Sequence, residues 1–146
     1  MKQRKFVNGL VLPNLIINLE EEKKWKLPSD RSRLTELIGI NANSACLYST
    51  EYMKFENKSW LIEEDELNEY SITNDIAYNS LYLNVKKSVL IGDLGIGWEQ
   101  PIALDYRLNV ENPIVTILDW NMSKGKVNTW RVIAENIYEF AVKIGI

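Results

Sequence analysis

The segment from Ile91 to Arg107 constrains the fold more than any other part of this chain. The short apolar run Ser88–Ile91 leads into it, and after Pro101 the side chains alternate in the period-two pattern of a strand. Between these runs lie three glycines: Gly92, Gly95 and Gly97. Glycine supplies the positive φ angles that a hairpin turn requires. The segment therefore predicts two antiparallel strands joined by a wide, glycine-rich turn.

The same glycines invite comparison with a nucleotide-binding loop. Their spacing is G-x-x-G-x-G, which reverses the dinucleotide fingerprint, and no G-K-[S/T] follows. A phosphate-binding loop must also lead into a helix N-terminus, whereas Pro101 and the alternation after it indicate a strand. We therefore favour a hairpin over a nucleotide site.

Two short helices are predicted before this hairpin. Pro13 suits the first position of one helix, which runs to Trp25. Asp30 or Ser32 can cap the second helix, and Gly39 ends it. The apolar residues expected to face the core from these helices are Leu15, Ile16, Leu19, Leu34, Leu37 and Ile38.

Strands are expected in the middle of the chain. The apolar neighbours of Cys46 predict a strand there, with a buried core thiol rather than a reactive one. For residues 50–85 we expect short strands mixed with an acidic loop. After the turn at Asn112-Pro113, alternation predicts another strand from Ile114 to Trp120, with Trp120 in the core.

A final helix closes the predicted fold. Apolar residues recur at three- and four-residue steps from Trp130 to Ile144, with Trp130 in the core. Asn128 or Thr129 can cap the start of this helix, and Gly145 its end. The expected fold is α+β: a central, mostly antiparallel sheet flanked by N-terminal helices and a C-terminal helix, in a single domain over 1–146.

Composition excludes several classes of function. The 146 residues include one cysteine and no histidine, so the usual general base, the usual zinc ligand and Ser-His or Cys-His nucleophile pairs are missing. The net charge of −3 argues against direct nucleic-acid binding, because such proteins carry a basic footprint. No apolar run approaches the roughly 20 residues of a membrane helix, and because Asn8, Pro13 and Asn14 break the apolar stretch after the basic N-terminus we expect no signal peptide. We expect a cytoplasmic protein without membrane contact, and the single cysteine suits a reducing compartment.

One segment is strongly acidic. No Lys or Arg occurs between Lys58 and Lys86, and six carboxylates do: Glu63, Glu64, Asp65, Glu66, Glu69 and Asp75. The run could hold calcium or magnesium, but it lacks the alternating carboxylates and central glycine of a calcium loop. A solvated face is the simpler interpretation. A third interpretation is that the run attracts a basic protein partner.

The hairpin segment carries further candidates. Asp93, Glu99, Asp105 and Asp119 are the candidates for a catalytic carboxylate pair. Asp105 and Arg107 share a strand face, so a mutual ion pair or a shared partner surface is a simpler hypothesis. Trp98 lies in a glycine-flanked turn and is a plausible exposed anchor, a residue type favoured in interface hot spots.

From Ile91 onward the chain resembles the SUKH superfamily, which includes the fungal cell-wall regulator Smi/Knr and many bacterial immunity proteins. The resemblance is carried by Ile91-Gly92-Asp93, Gly95, Gly97, Pro101-Ile102, Leu104-Asp105-Tyr106-Arg107, Asn112-Pro113, Val115, Trp120, Trp130 and Glu139-Phe140. The N-terminal half matches loosely: Leu27-Pro28-Ser29-Asp30 is similar to the family's Leu-Pro start of a helix, but the usual Asn-Gly-Gly after that helix is missing.

The resemblance implies an α+β fold and a role in which bacterial members bind and neutralise a polymorphic toxin, often a nuclease. The expected protein is not an enzyme, has no catalytic residue, cofactor or metal, and is a monomer or weak homodimer that binds a basic cognate toxin. The predicted partner-binding residues are Asp93, Trp98, Glu99, Asp105, Arg107, Glu63, Glu64, Asp65 and Glu66. The alternatives are an intracellular regulatory or scaffold protein of the Smi/Knr type and, last, a metal-dependent hydrolase that uses the carboxylates.

Overall fold

The computed structural model describes residues 4–62, 83–95, 100–119 and 129–146. Within these ranges the chain is α+β, with a five-stranded antiparallel sheet, a two-stranded hairpin and four helices. In chain order the elements are β1 (Phe6–Val7), β2 (Leu10–Val11), α1 (Asn14–Glu21), α2 (Ser32–Ile38), β3 (Cys46–Leu47), α3 (Thr50–Ile62), a 3₁₀ turn (Val85–Lys87), β4 (Ser88–Asp93), β5 (Pro101–Asp105), β6 (Ile114–Leu118), β7 (Trp130–Ala134) and α4 (Ile137–Ile144). None of the helices in these ranges combines the length and the apolar character that a membrane span requires.

The main sheet is a meander in which each strand pairs antiparallel with the next, in the order β3-β4-β5-β6-β7. The predicted hairpin is β4 and β5, with Val89 opposite Leu104 and Asp93 opposite Pro101. The predicted strand after Asn112-Pro113 is β6, which pairs with β5 through Ile102 and Ile117. The α+β class, the antiparallel sheet and the central hairpin are thus confirmed.

Both faces of the sheet are buried, because all five residues of β5 are buried and successive side chains of a strand point to opposite faces. One face carries the larger apolar cluster, to which α1, α2 and α4 contribute. Its members include Ile102, Leu104, Val115 and Ile117 from the sheet and Ile16, Leu34, Ile38 and Phe140 from the helices. The opposite face carries a smaller cluster: Leu83, Val85, Leu90, Ala103, Leu118 and Trp130. Trp130 is fully buried there, as its core assignment predicted.

The two N-terminal helices lie where the sequence predicted them. Helix α1 begins directly after Pro13 but ends at Glu21, before Trp25. At the start of α2 the Asp30 carboxylate accepts a hydrogen bond from the Ser32 N–H at 2.9 Å. Gly39 ends α2 in the left-handed conformation, with φ of 80°. The N-cap position is nevertheless Arg31, which makes no side-chain cap, so the predicted cap at Asp30 or Ser32 is wrong, whereas termination at Gly39 is confirmed.

The prediction of one helix from Trp130 to Ile144 was wrong. Residues Trp130–Ala134 form strand β7, and only Ile137–Ile144 form helix α4. Thr116 pairs with Val132 and Val115 with Ala134, so Ile133 is an extra, bulged residue in β7. The bulge buries two consecutive residues, Ile133 and Ala134. They follow the buried Trp130 by three and four residues, which is also the spacing of apolar residues on one face of a helix. Asn136, rather than Asn128 or Thr129, caps the helix by accepting from the Glu139 N–H at 2.9 Å, and Gly145 ends it with φ of 86°.

The expectation of short strands in residues 50–85 was wrong for its first part. Residues Thr50–Ile62 form α3, the longest helix that the structure describes. Its buried positions include Thr50, Met53 and Asn57, of which two are polar. An apolar repeat is therefore absent from the sequence of α3 even though its buried positions follow helical spacing. The acidic run Glu63–Glu69 and Asp75 lie outside the described residues.

Candidate partner-binding surface

Asp93 holds together the two ends of the loop between β4 and β5. Its Oδ1 accepts a hydrogen bond from the Gly95 N–H at 2.6 Å, and its Oδ2 accepts one from the Gln100 N–H at 3.3 Å. The Leu94 N–H also donates to the Gln100 carbonyl oxygen at 3.0 Å. The Asp93 side chain is half-buried at the end of β4, so it both supports the loop and borders the surface described next.

Two glycines allow β3 and the residue Ser44 just before it to lie against this hairpin. Gly95 has φ of 68°, as predicted, and a Cβ there would lie 2.2 Å from the Ser44 carbonyl oxygen. Gly92 does not have a positive φ, contrary to the prediction. A Cβ at Gly92 would instead lie 2.5 Å from the Cys46 carbonyl oxygen, so the close approach of β3 to β4 requires glycine. Gly97 lies outside the described residues.

The prediction that Cys46 is a buried core thiol was wrong, because its side chain is exposed. Strand β3 is an edge strand of the described sheet and pairs only with β4. Desolvation and, to a lesser extent, the neighbouring Asp93 carboxylate raise the pKa of the Cys46 thiol. The thiol therefore stays protonated at neutral pH, as expected of an unreactive cysteine.

Three aromatic side chains lie together beside β3, and we call Tyr48, Tyr52 and Phe55 the aromatic patch. The rings of Tyr48 and Tyr52 meet edge to face with centroids 4.8 Å apart. Those of Tyr52 and Phe55 are stacked, with centroids 6.1 Å apart and an interplanar angle of 24°. Tyr52 is 45% exposed and Phe55 66% exposed. The patch thus presents aromatic surface to solvent.

Two carboxylates border the aromatic patch. The Tyr52 hydroxyl donates to Glu56 Oε1 at 2.7 Å, and this hydrogen bond is the main reason that the pKa of Tyr52 is raised. The pKa of Tyr48 is raised by desolvation and then by the negative charges of Asp93 and Glu56. Glu56 thus contacts the patch directly, and Asp93 adds a second negative charge near Tyr48.

The backbone beneath the patch is firmly held. The Tyr48 N–H donates to the Ile91 carbonyl oxygen of β4 at 2.8 Å, and the Tyr48 carbonyl oxygen accepts from Trp25 Nε1 at 2.8 Å. Glu20 of α1 accepts two hydrogen bonds from Thr50 at the start of α3, one from the N–H at 2.7 Å and one from the hydroxyl at 2.6 Å. The sheet and α1 thus fix the positions of Tyr48 and of the first turn of α3.

Asp105 and Arg107 form an internal ion pair, as one interpretation of the sequence predicted. Arg107 Nη2 lies 2.8 Å from Asp105 Oδ2, and their side chains are only 13% and 4% exposed. Asp105 pairs with Ser88 at the far end of β4 from Asp93, about 16 Å away at 3.3 Å per residue. The structure therefore does not bring Asp105 together with Asp93 as a carboxylate pair.

Asp119 forms an ion pair with Arg131. Its Oδ2 accepts from Arg131 Nε at 2.9 Å, and the same guanidinium donates to the carbonyl oxygens of Leu37 and Ile38 at the end of α2. In the described ranges no group of three or more histidine, cysteine, aspartate and glutamate residues could hold a metal ion. The remaining predicted site residues lie outside those ranges: Trp98, Glu99, Glu63, Glu64, Asp65 and Glu66. Trp120, predicted to lie in the core, is outside them as well.

The aromatic patch was not predicted from the sequence. The signal that could have found it is the spacing of Tyr48, Tyr52 and Phe55, which recur at four- and three-residue steps. The spacing has that meaning only once residues 50–62 are known to be helical. Comparison of the chain with protein-family models, with curated proteins and with solved structures found no match.

Proposed function

We propose that this protein is an immunity protein of the SUKH type, which binds a cognate toxin such as a nuclease and neutralises it by stoichiometric inhibition rather than by catalysis. The observation that carries the proposal is the exposed aromatic patch, which the Glu56 carboxylate contacts. Protein interfaces are enriched in aromatic residues, and tyrosine is among the residue types that contribute most to binding energy. A firmly held patch of this kind is suited to binding another protein.

The exposure of the patch supports this function. Phe55 keeps two thirds of its surface in water although a domain of this size has a large core to offer it. Burial of such a side chain contributes roughly 1.5–3 kcal/mol, so a partner that covers Phe55 gains a substantial free energy of binding. Tyr52 adds a ring whose rotamer is already restrained by its hydrogen bond to Glu56. Restraint before binding lowers the entropic cost of forming the complex.

The charge of the chain supports a basic partner. The net charge is −3, and Asp93 and Glu56 place negative charge at the patch itself. Complementary charge steers a basic protein toward this face and raises the rate of association. By contrast, Asp105 and Arg107 are covered and pair with each other, so we place them in the framework rather than in the contact surface.

The test begins with the protein tagged in its native cell and recovered at moderate salt. We expect one basic partner that carries a toxin domain. Expressed alone in a host cell, this partner should stop growth, and co-expression with the immunity protein should restore growth through a one-to-one complex. Recovery of several housekeeping proteins, or of a partner that is harmless when expressed alone, would overturn the proposal and favour a regulatory or scaffold role.

A further inference from the structure

We infer that the aromatic patch is a receptor for the guanidinium group of an arginine side chain of the partner protein. This inference rests on the proposed function, because it specifies how the partner is held. An arginine of the partner binds on the rings of Tyr52 and Phe55. The contact chemistry is a planar cation stacked on aromatic faces and paired with carboxylates.

The geometry of the rings fits a planar cation. The Tyr52 and Phe55 rings lie within 24° of parallel, with centroids 6.1 Å apart. A cation within about 6 Å of a ring centroid is attracted by the negative face of the ring. Guanidinium is planar and weakly hydrated, so it stacks on such faces more readily than the compact, strongly hydrated ammonium of lysine.

The carboxylates complete the receptor. Glu56 lies at the edge of the Tyr52 ring, where its Oε1 accepts the hydroxyl hydrogen at 2.7 Å. Asp93 acts on Tyr48 from the hairpin side. A guanidinium that stacks on the Tyr52 ring can donate a charge-assisted hydrogen bond to the Glu56 carboxylate, and such bonds are about twice as strong as neutral ones.

Lys54 and Arg31 each contact another group of the chain. Lys54, between Tyr52 and Phe55 in sequence, lies 3.8 Å from Glu51. Arg31, whose charge acts on Cys46, donates to the Pro28 carbonyl oxygen. Neither contact places a cation on Glu56, so its carboxylate can pair with a cation supplied by the partner.

The first experiment needs no toxin. Three peptides, acetyl-Gly-X-Gly-amide with X as arginine, lysine or citrulline, are titrated into the whole chain while aromatic and amide NMR shifts are recorded. Citrulline matches arginine in shape but carries no charge. We expect saturable shifts in the patch and in α3 with the arginine peptide at millimolar concentration, weaker shifts with lysine, and none with citrulline. Equal shifts with citrulline, or shifts elsewhere in the fold, would overturn the inference.

Variants then assign the effect to the rings. Tyr52→Ala and Phe55→Ala should each abolish the arginine-peptide shifts and weaken binding of the captured toxin at least about 30-fold, the effect of a hot-spot residue. Tyr138→Ala is the matched control, because Tyr138 is a similarly exposed tyrosine on α4, and it should change toxin affinity less than about threefold. Circular dichroism should show all three variants folded, since each residue is exposed.

The two proposals fail in different ways. If the toxin binds tightly and both alanine variants bind it as well as the unaltered protein, the arginine receptor is wrong and the immunity function stands. If the arginine peptide binds the patch but the captured partner is not a toxin, the immunity function is wrong. The ring variants would then show whether that partner uses the same receptor.

Discussion

The buried side-chain amide of Asn57 extends the hydrogen bonding at the sheet edge beyond the short strand β3. Strand β3 pairs with Gly92 and Asp93 of β4, and Tyr48 directly after it donates its N–H to the Ile91 carbonyl oxygen. Directly before Ile91, Leu90 donates its N–H to Asn57 Oδ1 at 2.7 Å, and its carbonyl oxygen accepts from Asn57 Nδ2 at 3.0 Å. The side-chain amide thus replaces the backbone groups of a neighbouring strand, which an unpaired edge would otherwise lack.

Asn57→Ala should therefore destabilise the protein by about 3 kcal/mol, because it leaves a buried N–H and a buried carbonyl of Leu90 without partners. The control is Lys58→Ala, an exposed neighbour on the same helix, which should change stability by less than about 0.5 kcal/mol. Urea unfolding followed by fluorescence measures both. Equal stability of the two variants would show that water or a backbone shift replaces the amide.

The Asp105–Arg107 pair gives a second prediction at the level of single residues. Arg107→Met leaves the buried Asp105 carboxylate without its cation, which should cost about 3 kcal/mol of stability. In the double variant Asp105→Asn with Arg107→Met, the uncompensated charge is gone, so much of that loss should be recovered. Urea unfolding of both variants measures the loss and the recovery. Affinity for the captured partner protein, measured under conditions where each variant is folded, should stay unchanged; a large loss of affinity would show that this pair belongs to the contact surface.

At the scale of elements, the sequence predicted those parts whose local signals agree with their packing. The β4–β5 hairpin and α2 were predicted because their apolar patterns and their glycines indicate the same structure. Helix α3 was missed because it reverses the usual pattern, with Asn57 buried and Phe55 exposed. Such reversals concentrate where function requires them, and here the exposed member belongs to the aromatic patch. Strand β7 was missed because a bulge depends on pairing with β6, which no local pattern encodes.

Two glycine variants can separate the cost of a left-handed backbone conformation from the cost of a steric clash between the hairpin and the chain before β3. Gly39 and Gly95 both have positive φ, but a Cβ at Gly39 would meet nothing within 4 Å, whereas one at Gly95 would lie 2.2 Å from the Ser44 carbonyl oxygen. Gly39→Ala should cost about 1 kcal/mol, the price of the left-handed conformation alone. Gly95→Ala should cost at least about 2 kcal/mol more, since backbone must move. Thermal unfolding compares them, and similar melting temperatures would contradict a rigid contact.

The junction between α1 and α3 should respond to acid. Burial opposes ionisation of Glu20, but the hydrogen bonds from Thr50 and the nearby Lys5 ammonium outweigh it and lower the pKa of Glu20 below its ordinary value of 4.5. A carboxylate whose pKa is lowered by folding stabilises the protein above its unfolded pKa, and this contribution is lost as the pH falls through the folded value. The stability of the unaltered protein relative to Glu20→Gln should therefore be constant near pH 7 and shrink below about pH 4.5. Unfolding of both proteins by urea from pH 7 to pH 3 measures the difference; a difference that grows on acidification would reverse the assignment.

At the scale of the whole molecule, charge and aromatic surface should act on different steps of partner binding. The excess of negative charge acts over a distance and is screened by salt, whereas the rings of Tyr52 and Phe55 act only at contact. Charge should therefore set the rate of association, and the aromatic patch the rate of dissociation. This division could not be predicted from the sequence, because it depends on α3 placing the rings beside Asp93.

Stopped-flow kinetics with the captured partner protein can separate these two contributions. Raising sodium chloride from about 50 mM to about 500 mM should lower the association rate constant roughly tenfold and leave the dissociation rate constant nearly unchanged. Phe55→Ala should do the reverse, raising the dissociation rate constant with little effect on association, because it removes contact area without removing charge. Glu56→Gln should lower the salt dependence of association, since it removes one of the charges beside the rings. If salt and Phe55→Ala acted on the same rate constant, steering and contact would not be separate properties of this surface, and the patch would not be the anchor of the complex.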